Sequence, residues 1–205
     1  FSPRFLGHSF NNPKDIPFAA FFIASLYYII SFIKEYPKPK ISTAVLSAIF
    51  IGLTIAIRIG GLLLYCYFAL FLGIYYLITN KGAYFNRNNL KELGKTIVYF
   101  LLIVFLSYLI VIPLWPFILE SPINHSLLVF QEMSHYGTSL RQLFEGTLQW
   151  SDALPWYYTP KYILMTIPIA VIVGLVLFFI FCWRKKEDRF WAFVVFFTFF
   201  FPVFW

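Results

Sequence analysis

Charge is what this sequence has least of. Of 205 residues nine are Asp or Glu and 16 are Lys or Arg, so charged residues make up 12% against 60% hydrophobic ones. Soluble domains carry about 25% charged and roughly 45–50% apolar residues, and the balance here excludes a water-soluble globular fold. The few acids also avoid the apolar runs, where none is found. Ion-coupled transporters commonly need intramembrane carboxylates or broken helices at mid-depth; the sequence shows neither, and no inverted repeat. Cysteine is nearly absent. Cys66 and Cys182 each sit in an apolar run with no CxxC or Cys/His cluster, which reads as small hydrophobic filler and gives no metal site. The catalytic signatures of soluble enzymes are missing too: no Gly-rich phosphate loop before a Lys, no G-x-S-x-G, no H-E-x-x-H. Short alternating segments with turn punctuation are lacking, which excludes a transmembrane barrel.

Long apolar runs are what the chain does have, with a mean hydropathy of +0.76. A spanning helix needs roughly 20 apolar residues, and six runs qualify: 16–33, 41–57, 59–79, 96–117, 162–183 and 190–205. The predicted fold class is therefore all-α, a polytopic bundle of transmembrane helices. The second and third runs are separated only by "RIGG", Arg58 to Gly61. One straight helix of that combined length overshoots a bilayer at about 1.5 Å per residue, so a tight hairpin is expected at the glycines. The chain opens on Phe1 without a signal-peptide pattern and closes inside "FFTFFFPVFW". It is therefore expected to be an internal portion of a longer polypeptide, residues 1–205 forming part of one transmembrane domain with an outer loop at 118–161.

The polar connections alternate sides. One set holds Lys34, Lys38, Lys40, Lys81, Arg87, Lys91, Lys95, Arg184, Lys185, Lys186 and Arg189; the other holds only Arg4, Lys14, Arg58, Arg141 and Lys161. Short loops rich in Lys and Arg stay cytoplasmic. The first set is thus predicted to be cytoplasmic, and the N-terminal stretch, Arg58 and loop 118–161 to face outward. The net charge of +7 then reads as an orientation signal, not a nucleic-acid footprint.

Four outward elements carry the unusual chemistry. The stretch "GHSFNNPKDIPF", Gly7 to Phe18, suits helix capping: Asn12 or Asp15 accepts orphan N–H groups, Pro17 falls in the first turn, and the acid favours the positive helix end. Capping leaves Arg4, His8 and Lys14 without a role, so a site at this helix start is the alternative. Arg58 is the one charge between Ile41 and Thr79; it reads either as a snorkelling interfacial arginine or as a bidentate phosphate ligand beside glycines. The segment Ser121–Gly146 is expected to hold an interfacial helix with an approximate Leu127, Phe130, Met133–Ser134 stripe. Glu132 and His135, three apart, are its candidate acid/base pair, and the sequon Asn124-His125-Ser126 reads as coincidence. Between Leu148 and Tyr162, residues Trp150, Trp156, Tyr157, Tyr158 and Tyr162 fit an interfacial aromatic belt, or a stacking surface for a sugar or lipid headgroup.

Taken in order, "SPRFLGHSFNNPKDIPFAAFF", "GLTIAIRIGGLLL" and "LPWYYTPKYILMTIPI" resemble bacterial membrane glycosyltransferases of the GT-C superfamily. The branch resembled is family 39-like, related to protein O-mannosyltransferases and to the lipid A aminoarabinose transferase. The resemblance implies an inner-membrane, GT-C type inverting transferase with an outer-face, periplasmic site. Such an enzyme passes a sugar from a polyprenyl-phosphate carrier to a protein, lipid or glycan. It also implies a catalytic acidic loop lying before Phe1, with Asp15 in a supporting role at the outer start of a later helix. The family places a Ser-Arg pair ahead of that Asp, where His8-Ser9 stands here. Arg58 matches the basic position of a "G-L-x-x-A-x-[RK]" segment. The sites implied are Arg58, Lys14 and His8 for the carrier phosphate, and Glu132, His135, Trp156 and Tyr157 for sugar or acceptor. The partners expected are a polyprenyl-phosphate-linked sugar and membrane lipids, with the acceptor unknown. No cofactor is indicated, and a divalent cation is left open. The alternative function is a transporter, a flippase-like component or a structural subunit of a membrane complex.

Overall fold

The structure is a computed structural model that describes residues 6–7, 10–80, 82, 84–134, 139–184 and 189–204. The chain is mostly helical and divides into two compact units, residues up to 135 and residues from 136 onward.

In the first unit, helix α1 (Asp15–Lys34) leads through a short turn into α2 (Ile41–Ile57). The Glu35 carboxylate shapes that turn. It accepts the Lys40 backbone N–H at 2.8 Å and the Thr43 hydroxyl at 3.1 Å, placing negative charge at the start of α2, where the helix dipole favours it. After α2 come a 3₁₀ turn (Ile59–Leu62), α3 (Leu63–Thr79), the 28-residue α4 (Arg87–Leu114), the short α5 (Pro116–Glu120) and α6 (Pro122–Ser134). Asn86 starts α4, its side chain accepting the Asn88 N–H at 3.3 Å. Trp115 ends α4 in an extended conformation, as a residue ahead of a proline favours.

α2 is the central helix. Its buried residues are Thr43, Ala44, Ser47, Ala48, Ile51, Gly52, Thr54 and Ile55, mostly small, so both α1 and α4 pack closely on it. Small interfacial residues are how helices associate where no hydrophobic drive separates them from lipid. At Gly52 a Cβ would stand 2.8 Å from the Ser107 carbonyl oxygen of α4; only hydrogen fits. Hydroxyl pairs pin the interfaces: Ser25 of α1 with Thr54 of α2 at 3.1 Å, and Tyr65 of α3 with Ser107 at 2.6 Å. Phe32, Phe68 and Phe100 join α1, α3 and α4 through edge-to-face contacts at 5.1 and 5.2 Å.

Helices long and apolar enough to cross a membrane cover Asp15–Lys34, Ile59–Thr79 and Arg87–Leu114; α2 and the apolar stretch Arg189–Pro202 are shorter. The hairpin expected at "RIGG" is the extended Arg58 followed by the 3₁₀ turn. The run expected at 96–117 instead belongs to a helix that begins at Arg87 and ends at Leu114.

The second unit departs further from the sequence reading. It holds a hairpin of β1 (Arg141–Phe144) and β2 (Thr147–Trp150), then α7 (Tyr158–Thr166), α8 (Ile169–Arg184) and α9 (Arg189–Phe204). The segment Ser121–Gly146, expected to hold an interfacial helix, holds α6 and, nearer its end, β1 of the hairpin. The hairpin turn is Glu145-Gly146, with φ of 52° and 80°, the two-residue turn with both φ positive whose twist suits a hairpin. The span expected at 162–183 is two helices, and α7 and the apolar part of α8 meet at a 109° bend. Pro168 is the cause, since it holds Ile167 extended. A broken apolar helix, absent from the sequence reading, is therefore present.

Gly61 carries one sharp consequence. A Cβ there would lie 2.9 Å from the Ile55 nitrogen and 3.0 Å from its Cα, whereas at Gly60 nothing stands within 4 Å. Gly61→Ala is expected to cost about 1–3 kcal/mol, the usual range for overpacking, and Gly60→Ala to leave stability unchanged. Thermal unfolding in detergent followed by circular dichroism checks the contrast.

Candidate functional site

α1 and α2 run antiparallel through the Glu35–Lys40 turn, so the start of α1 and the end of α2 come to one end of the first unit. Arg58 terminates α2 in an extended conformation. Its N–H still donates to the Thr54 carbonyl at 3.1 Å, and its own carbonyl accepts the Gly61 N–H at 3.0 Å. A residue tied on both sides has its backbone position fixed, which aims the long side chain. The guanidinium Nη2 meets Asp15 Oδ1 in an ion pair, with the side chains 48% and 32% exposed.

Asp15 is the first residue of α1, where Asn12 or Asp15 was expected to accept orphan N–H groups. The residue ahead of it, Lys14, contributes no side-chain cap. Asn12 Oδ1 accepts the Lys14 backbone N–H at 3.2 Å, a bond made just ahead of the helix. The same Asn12 amide donates through Nδ2 to Asp15 Oδ2 at 2.5 Å. One carboxylate oxygen thus faces an amide and the other a guanidinium. The guanidinium has five N–H donors in a planar fork, and Arg58 stays near enough to solvent to offer some of them to an oxyanion. Lys14 is exposed beside the pair and adds a second cation. The arrangement can hold a phosphate at a helix start, a favoured place for anions.

The remaining candidates fall elsewhere. Glu132 is exposed late in α6, and no ion pair joins it to Arg58 among the described residues. His8 and His135 lie outside the described residues, so the Glu132–His135 pairing and a role for His8 gain no geometry. Trp156 and Tyr157 belong to the second unit and meet edge-to-face at 5.9 Å, Trp156 being 81% exposed. Among the described residues no group of three His, Cys, Asp or Glu side chains comes together that could hold a metal ion. Cys66 and Cys182 are free thiols.

The second unit contains a cluster that the sequence reading missed. Phe144 is buried against the rings of Tyr157, Tyr158 and Tyr162 at 5.9, 5.0 and 6.1 Å. Around it, Tyr162 donates to the Leu143 carbonyl at 3.0 Å, Tyr158 donates to Gln142, and Lys161 pairs with Glu145. The aromatic residues expected to form a belt are thus partly spent on fastening the hairpin to α7, with Trp156 left turned outward. The overlooked signal was the Glu-Gly pair between "RQLF" and "TLQW", a two-residue hairpin cue of the x-Gly kind.

No protein-family model, no curated protein and no solved structure matches the chain.

The cluster sets a measurable hierarchy. Phe144→Ala is expected to cost about 3–5 kcal/mol, the range for truncating a buried aromatic, and to abolish the near-ultraviolet circular dichroism of the tyrosines around it. Trp156→Ala, at an exposed position, is expected to leave that signal and the melting temperature in place.

Proposed function

We propose that this chain is part of an inverting membrane glycosyltransferase of the GT-C type that takes a sugar from a polyprenyl-phosphate carrier. The observation that carries the reading is the Asp15–Arg58 ion pair at the common end of α1 and α2, on two segments that resemble that family. In the proposed reaction an acceptor hydroxyl attacks the anomeric carbon as its proton passes to a carboxylate base, and the sugar–phosphate C–O bond breaks. The electron pair leaves on the carrier phosphate, whose charge Arg58 and Lys14 offset. Asp15 orients Arg58 rather than taking the proton, and the base belongs to an acidic loop outside residues 1–205. The resemblance adds His8 to the residues proposed for the carrier phosphate, and Glu132, His135, Trp156 and Tyr157 as those proposed for sugar or acceptor. The acceptor is a protein, lipid or glycan.

Six crossings are proposed: α1, α2, the 3₁₀ turn with α3, α4, the bent α7–α8 pair, and α9. The basic residues at the opposite end of the first unit, Lys34, Lys38, Lys40, Arg87, Lys91 and Lys95, support a cytoplasmic assignment for that end. The Asp15–Arg58 end then faces the periplasm from the inner membrane, and α6 lies along the outer interface.

A second reading, a flippase-like handler of lipid-linked sugars, draws on one observation. The 109° break between α7 and α8 is of the kind transporters use, and it borders a cavity of about 250 Å³ lined by Ile163, Leu164, Ile167, Val171 and Phe199. Among the described residues no charged side chain lines that cavity, which favours the enzyme.

In the full-length protein, Arg58→Ala and Asp15→Ala are each expected to lower sugar transfer from a labelled polyprenyl-phosphate sugar by about 100-fold, the scale for removing one charge-stabilising group. Lys14→Ala is expected to lose less. Full transfer by both variants overturns the site assignment, and sugar movement across vesicles without transfer favours the second reading.

A further inference from the structure

The end of the first unit opposite to Asp15 and Arg58 carries a feature with no part in the proposed chemistry. α4 is 28 residues long, about 42 Å at 1.5 Å per residue, against a hydrocarbon core of about 30 Å. Its first two turns therefore extend into the headgroup layer if its apolar part crosses the membrane. Those turns bear Arg87 and Lys91, and Lys95 follows at the start of the third, all exposed. Spaced four apart, they share one face of the helix. The same face continues through Val98, Leu102 and Phe105, each about half exposed. The buried residues Thr96, Ile103, Ser107 and Val111 occupy the opposite side. No ion pair involves the three cations among the described residues. Glu92, the acid of these turns, lies toward the core side and is only partly exposed.

We propose that this stripe binds an anionic glycerophospholipid, with its phosphate on Arg87, Lys91 and Lys95 and an acyl chain along Val98, Leu102 and Phe105. Charge complementarity selects the lipid. A zwitterionic headgroup brings its own cation to the stripe, whereas phosphatidylglycerol brings a net negative charge, and basic residues at a membrane surface each add attraction for anionic lipid. The apolar track selects a lipid over free phosphate, because it lines up with the cations and is already turned away from the protein core. Phe85, 89% exposed just ahead of the helix, suits the interfacial depth where aromatic side chains anchor. The inference is independent of what the Asp15–Arg58 end does.

Purified full chain exchanged into micelles containing equal dioleoyl-phosphatidylglycerol and dioleoyl-phosphatidylcholine tests it, with retained lipid counted by native mass spectrometry. The wild-type chain is expected to retain phosphatidylglycerol by about tenfold over phosphatidylcholine. The R87Q/K91Q/K95Q variant is expected to lose that preference, K95Q alone to lose part of it, and R87K/K91R/K95R to keep it. Removing as many cations from the same end but off the stripe, in K34Q/K38Q/K40Q, is expected to change little. Three results overturn the proposal: undiminished preference in both R87Q/K91Q/K95Q and K95Q, equal loss in the off-stripe variant, or displacement of the retained lipid by inorganic phosphate. The single substitution keeps the test decisive if the triple variant does not fold.

Discussion

The close approach of α2 to its neighbours is the constraint on which the first unit depends. A helix faced with Thr43, Ala44, Ser47, Ala48, Gly52 and Thr54 lets α1 and α4 come near its backbone, and at Gly52 the Ser107 carbonyl leaves no room for a methyl group. Such contacts matter more here than burial of large side chains, because lipid tails solvate leucine as well as another helix does. The hydroxyl pair of Ser25 and Thr54 adds an interhelical hydrogen bond of the kind worth about 0.6 kcal/mol on average in membrane proteins. Its larger effect is to hold α1 and α2 in a fixed relation. Gly61 repeats the logic one turn past the end of α2, folding the chain back onto Ile55 and so fixing where Arg58 points.

From that packing follows a division of the charged groups between two ends. Asp15 and Arg58 meet where α1 starts and α2 stops. Lys34, Lys38, Lys40, Arg87, Lys91 and Lys95 gather where α1 and α3 stop and α2 and α4 start, an end also tied together by Tyr36 against Tyr75 and Tyr76, and by the Tyr76 hydroxyl on the Tyr84 carbonyl at 2.6 Å. The two ends ask for different partners. A half-exposed guanidinium steadied by a carboxylate suits a single oxyanion in a defined place. A row of cations leading onto an apolar track suits a lipid whose head and tail are both engaged.

Much of this was legible in the sequence, and the parts that were not share a cause. α1, α2 and the 3₁₀ turn with α3 match the expected runs to within a residue or so, because long uninterrupted apolar stretches leave a helix as the only way to satisfy the backbone in lipid. The joining of Asp15 with Arg58 was legible only as a placement at one face; that they form an ion pair with Asn12 alongside depends on side-chain reach, which spacing does not carry. Asn12, expected alongside Asp15 as a possible cap, instead bonds the Lys14 N–H and the Asp15 carboxylate. Local chemistry overrode the apolar pattern where the reading failed. Pro168 broke a run that looked continuous, and Glu145-Gly146 makes a hairpin turn that the apolar pattern does not mark. Phe144, a single aromatic amid many, became the centre of a cluster through tertiary contacts that no periodicity records.

The meeting of Asp15 with Arg58 can be examined without knowing any ligand. In a chain with Cys66 and Cys182 replaced by Ala, D15C/R58C treated in membranes with a short thiol-to-thiol cross-linker is predicted to give a high yield of the intramolecular product. D15C/N80C, which pairs the same position with the far end of α3, is predicted to give none. Absence of the product from D15C/R58C, or equal yields from both pairs, would contradict the shared site at the end of α1 and α2.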